Sequence, residues 1–271
     1  MQVYRGMDIG TAKPSPTERA EVRHHLLDLA EPEEPFSVAR FQEAGRAVLT
    51  AAADAGRRLL ITGGSGLHFR ALVDPLEFPP ADPAVRAVLE DLPKAEATAR
   101  LLAADPDAGS WIDLNNPRRV VRALEVLAVT GATPSARAAS PQAAAVRTYT
   151  GLWPVTALGV DPGAQLGGRV RRRFEGMVAA GLLAEVEALA PRLGVTARQA
   201  VGYRELLAVV KGDWDLDHAI RRAMDATTAL ARRQRTFHRR DPRVRWLQWD
   251  DDEAGMATQA AAVLEEAGWT S

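Results

Sequence analysis

Apolar positions along this chain alternate between helical and strand-like spacing. Between Phe36 and Ala55, residues Phe41, Ala44, Val48, Ala51 and Ala52 recur on one face and Ser37 can cap the start, which predicts a helix. Arg58 to Thr62 is a short apolar run ending in Gly63-Gly-Ser-Gly66, and Leu67 to Val73 returns to helical character. A strand, a Gly-rich turn and a helix in that order suggest a parallel α/β sheet, whose ligands sit at the carboxyl ends of the strands.

Residues 76–81 read as a linker, and Asp82-Pro83 opens a helix with Pro at its first position. From there to about residue 140 the pattern predicts helices and loops without strands. The clearest helix has Asn116 as N-cap and Pro117 as its first residue and stops at Thr130-Gly131. Residues 132–148 are Ala-rich, polar and weakly patterned, and are expected to form a mobile connection. Val155 to Val160 predicts a strand. One long helix is expected from about Leu166 to Ala190, with Val170, Phe174, Met177, Val178, Leu182 and Val186 as its buried stripe. A helix from Leu216 to Arg239, a strand from Val244 to Trp249 and a helix from Glu253 to Ala267 complete the chain. The expected architecture is an α/β core in two parts, residues 1–77 and 138–271, interrupted by a helical insertion at 78–137.

Composition narrows the class. The 271 residues are 46% hydrophobic and 25% charged, as in ordinary globular proteins. The net charge of −1 excludes a bulk-basic nucleic-acid binder, but Arg232 to Arg245 (RRQRTFHRRDPRVR) is strongly basic. With no Cys there is no disulfide framework and no thiolate metal site. No signal peptide and no apolar run of membrane-spanning length is seen, so the cytoplasm is the expected place.

Several residue groups could carry chemistry. Gly10-Thr11-Ala12-Lys13-Pro14 is a loop with a basic tip and not a Walker A sequence. Gly63-Gly-Ser-Gly66 is either a tight turn or an anion cradle in which the Ser65 hydroxyl donates to a developing oxyanion. Arg169 and Arg173, four apart on a helix, form either a solvated basic face or a bidentate diphosphate clamp. Arg118 and Arg122 share a helix face with Arg119 adjacent. In the Arg-rich window Phe237 and His238 interleave with Arg, which is either a basic helix end complementing the helix dipole or the combination that grips phosphates and stacks on unpaired RNA bases. His24, His25 and Asp28 have no supporting His or carboxylate cluster, so no metal site is expected from them.

Seven strings in order, MQVYRGMDIGTAKP, HHLLDL, EPFSVARFQ, GGSGLHFRAL, NNPRRVVRALEVLAVTG, AVGYREL and ARRQRTFHRRDPRVRWL, resemble the tRNA dimethylallyltransferases (tRNA isopentenyltransferases) over almost the whole chain. The resemblance implies a P-loop-NTPase-like parallel sheet core with a helical insertion that grips the tRNA anticodon stem. It implies transfer of a dimethylallyl group from dimethylallyl diphosphate to N6 of the adenosine 3′-adjacent to the anticodon, with Mg2+ assisting diphosphate departure. It places Ser65 and Arg173 at the transferring centre, with Arg173 and Arg169 on the diphosphate. It assigns tRNA contacts to Met1 and Gln2; to Arg86; to Arg118, Arg119, Val120, Val121 and Arg122; to Gln199, Ala200, Val201, Gly202, Tyr203 and Arg204; and to Arg232, Arg233, Gln234, Arg235, Thr236, Phe237, His238 and Arg239.

Departures from the family pattern qualify this. The family's P-loop and its general-base Asp, in an Asp-Ser pair, precede the position of Met1. Met1 is therefore expected to be an internal methionine of a longer natural chain, an expectation that N-terminal peptide mapping tests. Loss of a general base costs about 10²–10⁴-fold. Ser65 replaces the usual Thr, His68 the usual Tyr, and Phe237-His238 the usual Trp-Phe. The competing expectations are an inactive tRNA-binding protein and an adenylate isopentenyltransferase. A monomer is expected, since no heptad seam is present.

Overall fold

A computed structural model describes residues 1–269. Its helices are α1 (Pro16–Glu21), α2 (Val38–Asp54), α3 (Gly66–Val73), α4 (Pro83–Glu90), α5 (Lys94–Ala104), α6 (Pro117–Thr130), α7 (Pro134–Ala138) and α8 (Pro141–Arg147). After strand β1 (Ala157–Val160) come α9 (Leu166–Ala179), α10 (Leu182–Leu189), α11 (Tyr203–Val210), α12 (Leu216–His238), strand β2 (Val244–Leu247) and α13 (Glu253–Glu266). No helix among the described residues is long and apolar enough to cross a membrane.

The protein is mostly helical, which corrects the expected α/β balance. β1 and β2 pair in parallel, Ala157 opposite Val244 through Val160 opposite Leu247, and form a two-stranded sheet. The strand expected at Arg58–Thr62 does not form. A strand needs a hydrogen-bonded neighbour, and none of the described residues supplies one; Leu60 there is 75% exposed.

Two compact units are present, Met1–Leu72 with Val155–Ser271, and Val73–Pro154. In the first, Val170, Phe174 and Met177 of α9 pack with Leu182 and Val186 of α10, Tyr203 and Leu206 of α11, Ala219 and Ala223 of α12, and Tyr4 and Met7. Each such buried Val, Leu or Phe contributes roughly 1.5–3 kcal/mol. The single helix expected over 166–190 is broken at Gly181, whose φ of +95° is left-handed and closes the turn between α9 and α10. That break explains why Val178, expected in the stripe, is 39% exposed.

In the second unit Ala97 and Leu101 of α5 pack against Val120, Ala123 and Leu124 of α6, with Ala108 beneath. The unit includes residues 132–148, which are not a loose connection: α7 and α8 form there. Thr133 Oγ1 accepts from Ala136 N–H, Ser140 Oγ accepts from Ala143 N–H, and Pro follows each cap. Ser/Thr-Pro is a helix start, and this signal outweighs the weak apolar pattern.

Candidate active site and RNA-facing surfaces

Two motifs far apart in sequence meet in the first unit. The GGSG loop leads into α3, and the end of α12 lies directly over it. A Cβ on Gly66 would stand 1.9 Å from the Phe237 ring, and one on Gly64 would stand 2.7 Å from the Gln234 amide. The glycines are therefore what admits α12. His238 Nε2–H donates to the Gly64 carbonyl at 3.2 Å. Its ring stands 6.2 Å from Phe69 and 5.6 Å from Phe237. Arg243 lies over Phe69 and is held by Asp241, with Nε–Oδ1 at 2.9 Å.

Ser65 is exposed at the mouth of this joint. Its hydroxyl is 2.8 Å from Nδ1 of His68. Burial pushes the His68 pKa down.

The basic residues around the joint fall into two kinds. Arg232, Arg233, Thr236, Phe237 and Arg240 line an open cleft of about 300 Å³. Arg232, Arg233 and Arg240 are exposed and no described side chain pairs with them. Arg235 and Arg239 both reach Asp161 Oδ2, at 3.4 and 3.5 Å. On α9, which packs on α12, Arg173 is exposed and unpaired among the described residues. Arg169 instead stacks 4.6 Å over the Trp249 ring, so the two are not deployed alike.

The loop around Met1 and Gln2 is anchored by Lys13, expected as the basic tip of its loop and instead buried, and by Glu185, which the sequence did not single out. Gln2 Nε2 donates to the carbonyls of Thr11 and Ala12, at 3.1 and 2.8 Å. The Lys13 side chain is wholly buried, and its Nζ donates to Tyr4 O (2.7 Å), Asp8 Oδ1 (2.5 Å) and Asp28 Oδ1 (2.7 Å). Glu185 on α10 accepts from the backbone N–H of Asp8 (2.9 Å), Ile9 (2.8 Å) and Gly10 (3.1 Å), and from the Tyr203 hydroxyl. Burial first, then the bond to Glu185 and its charge, push the Tyr203 pKa up.

Within Gln199 to Arg204, only Gln199 and Arg204 are exposed, and Val201 is half-buried. Ala200, Gly202 and Tyr203 are buried, Gly202 with φ of +93°. Arg204 Nε donates to Glu205 at 2.9 Å. Tyr203 thus acts inside the core, holding the loop that carries Gln2.

The second unit sorts its arginines the same way. Arg118 and Arg119 are exposed and unpaired among the described residues. Val120 is buried and Val121 half-buried. Arg86 and Arg122 converge on the buried Glu125, at 2.6 and 2.7 Å, and Arg122 also donates to the carbonyls of Pro79 and Pro80. Glu125 accepts from Asp82 N–H as well, at 2.9 Å.

Glu125, Glu185 and Asp161 were missed because nothing local marks them; Glu185 is 175 to 177 residues from its backbone donors. Arg240 lies in the basic window and was readable there. Among the described residues no three His, Cys, Asp or Glu side chains converge as a metal site.

Residues 2–241 match the IPP transferase family. A tRNA dimethylallyltransferase of Bifidobacterium adolescentis is 42% identical over 271 residues, spanning 98% of this chain and 78% of the relative. One from Nocardia farcinica is 45% identical, spanning 98% and 85%. The crystal structure of a tRNA isopentenylpyrophosphate transferase from Bacillus halodurans matches with a TM-score of 0.65 at 32% identity, covering 98% of this chain and 86% of that one. A Staphylococcus epidermidis enzyme of the same description gives 0.67 at 26%, covering 100% and 89%. A eukaryotic dimethylallyltransferase, 20% identical with a TM-score of 0.76, shares the fold. Matched across nearly its whole length at such identities, the chain belongs to the IPP transferase family.

Proposed function

We infer that this chain is a tRNA dimethylallyltransferase, moving a dimethylallyl group from dimethylallyl diphosphate onto the exocyclic N6 amine of the adenosine 3′-adjacent to the anticodon. The relatives' shared activity supports the reaction class. The single structural observation that carries the site is the joint where the Ser65 loop packs under Phe237 and His238, beside unpaired arginines.

In the transfer, the N6–carbon bond forms, the carbon–oxygen bond to diphosphate breaks, and the amine's proton passes to a general base, the role that the family resemblance gives to the Asp preceding the position of Met1. Negative charge builds on the departing diphosphate, and Arg173, exposed and uncommitted, is the guanidinium suited to neutralise it. The Ser65 hydroxyl supplies a polar contact at the transferring centre. Arg169 would join Arg173 only by leaving Trp249. Mg2+ is commonly held by one or two carboxylates together with substrate phosphates. The described side chains form no carboxylate cage, so the other steps assigned here use this chain's own residues.

Arg232, Arg233 and the Phe237 ring are assigned to the RNA backbone and to stacking on a base. The Val73–Pro154 unit is assigned to the anticodon stem through Arg118 and Arg119. Met1 and Gln2 are assigned to the same RNA, the latter as far as its bonds to Thr11 and Ala12 allow. A P-loop-like sheet core, a monomeric state and a cytoplasmic location belong to the same reading; the parallel β1–β2 pairing supports the first.

The test supplies this chain, alone and extended upstream of Met1 so as to carry the family's P-loop and Asp-Ser pair, with dimethylallyl diphosphate, Mg2+ and unmodified tRNA bearing adenosine 3′ of the anticodon. Prenylated adenosine after nuclease digestion is the expected product. Product from the extended form only leaves this reading standing, whereas binding of tRNA without product by both forms would replace it with that of an inactive tRNA binder. Preference for free AMP would replace it with an adenylate isopentenyltransferase.

A further inference from the structure

Ser65 and His68 stand three residues apart at the start of α3, so one helical turn sets them side by side. Ser65 Oγ lies 2.8 Å from His68 Nδ1. The Ser65 carbonyl accepts from Phe69 N–H at 2.9 Å, which fixes the serine backbone at the helix entry. The imidazole is itself held edge-on to Phe41, with centroids 4.8 Å apart and planes at 79°. No other side-chain hydrogen bond holds Ser65 among the described residues.

Serine has no β-branch to stiffen χ1, so its hydroxyl chooses among three staggered positions unless a partner selects one. His68 is half-buried and Ser65 exposed, so the ring is the anchored member of the pair and the hydroxyl the one offered to solvent. With its pKa lowered by burial, the imidazole is neutral at pH 7, one nitrogen donating and the other accepting. In either tautomer a bond at Nδ1 fixes the Cβ–Oγ rotamer.

We propose that His68 is a positioning residue for prenyl transfer: through Nδ1 it locks the Ser65 hydroxyl into the orientation used at the transferring centre. This rests on the prenyl-transfer reading given above. Phe41 takes part by fixing the ring plane, and α12 closes the other side of the loop through His238 and Gly64.

The experiment uses the chain extended upstream of Met1 to carry the family's P-loop and Asp-Ser pair, with Mg2+, dimethylallyl diphosphate and unmodified tRNA, in His68→Phe, His68→Asn, Ser65→Ala and Ser65→Ala/His68→Phe forms. His68→Phe should lower kcat about 2- to 10-fold, the worth of one neutral hydrogen bond, with KM for both substrates unchanged. His68→Asn, which can still bond the hydroxyl, should recover most of that loss. In the Ser65→Ala background His68→Phe should change nothing further. Equal losses in both backgrounds, or no recovery with Asn, would overturn the proposal.

Nitrogen-15 NMR of the imidazole gives a readout independent of turnover. Ser65→Ala should move the His68 Nδ1 resonance; an unmoved resonance overturns the pairing even in an active enzyme. If the resonance moves but the extended chain transfers no prenyl group to tRNA, the prenyl-transfer reading has failed and the positioning role goes with it.

Discussion

Replacing Gly66 by Ala tests the joint between the GGSG loop and α12. A methyl there would stand 1.9 Å from Phe237 Cδ1, 2.0 Å from Cε1 and 2.7 Å from Cγ. All three atoms belong to one ring, so a small shift of its far edge does not relieve the overlap; the ring or the loop has to move. Overpacking of this kind costs about 1–3 kcal/mol. For chains somewhat smaller than this one, 1 kcal/mol corresponds to roughly 2–4 °C in Tm. Backbone preference works the other way, since Ala in a helix interior is better than Gly by about 0.8–1 kcal/mol, and less than that at a first helical position. The clash should dominate.

A double-mutant cycle with Phe237→Ala isolates it. Phe237 is 38% exposed, so its own truncation should be mild. With the ring gone, Gly66→Ala should be neutral or slightly stabilising. Urea unfolding of the four proteins should therefore give a coupling energy of about 1–3 kcal/mol, well beyond the ~0.5 kcal/mol within which independent sites add. Additivity within that margin would refute the claim that Gly66 is small because α12 covers it.

Glu185→Ala should destabilise by about 2–4 kcal/mol in urea unfolding, because three backbone N–H groups and the Tyr203 hydroxyl lose their acceptor together; a loss under 0.5 kcal/mol would mean that water replaces the carboxylate freely. For Glu125, burial alone would raise the pKa, but donation from Arg122, Arg86 and the Asp82 amide outweighs it and holds the carboxyl below its ordinary value of 4.5. Its ionised form therefore stabilises fully above pH about 4.5, so the Tm advantage over Glu125→Gln should be constant there and shrink as pH falls further; a pH-independent difference would contradict this. Arg232→Ala and Arg233→Ala should leave Tm unchanged and weaken tRNA binding. Each should flatten the slope of log K against log salt by about 0.7 if it meets a single-stranded phosphate. An unchanged slope would remove that residue from the RNA surface.

Helix starts were the most legible part of the chain. Ser37 and Asp82 each cap a helix through a side-chain oxygen, because capping is local chemistry written in adjacent residues. Asn116 also precedes its helix, although its side chain makes no cap bond, and Pro117 and Gly131 mark the ends there. The failures were of context. Arg58–Thr62 has strand composition, yet a strand exists only with a neighbour. Residues 132–148 looked featureless by hydrophobic period, though Thr133-Pro134 and Ser140-Pro141 were readable as caps. Gly181 lay inside an apolar stripe whose continuation through it hid the turn. At the site, the Ser65 loop and the Arg-rich window were each visible, but their meeting was not, because Gly66 and Phe237 are joined only by packing.

Which arginines are free could not be read from charge. The chain holds 34 basic and 35 acidic residues, so any RNA-facing surface has to arise from how they pair. Acids placed inside or at the edge of the scaffold take up particular arginines: Glu125 takes Arg86 and Arg122, Asp161 takes Arg235 and Arg239, and Glu205 takes Arg204. Arg118, Arg119, Arg173, Arg232, Arg233 and Arg240 are exposed and have no side-chain partner among the described residues, and the same holds for others such as Arg171, Arg172, Arg221 and Arg222. An arginine already bonded to a carboxylate gains little from a phosphate, since it must first give up one charge-assisted bond to make another. An unpaired exposed guanidinium gives up only water and counterions, whose release favours binding to a polyanion. In this near-neutral chain the exposed unpaired arginines are therefore the ones proposed to meet RNA, while Glu125, Asp161 and Glu205 withdraw others from that role.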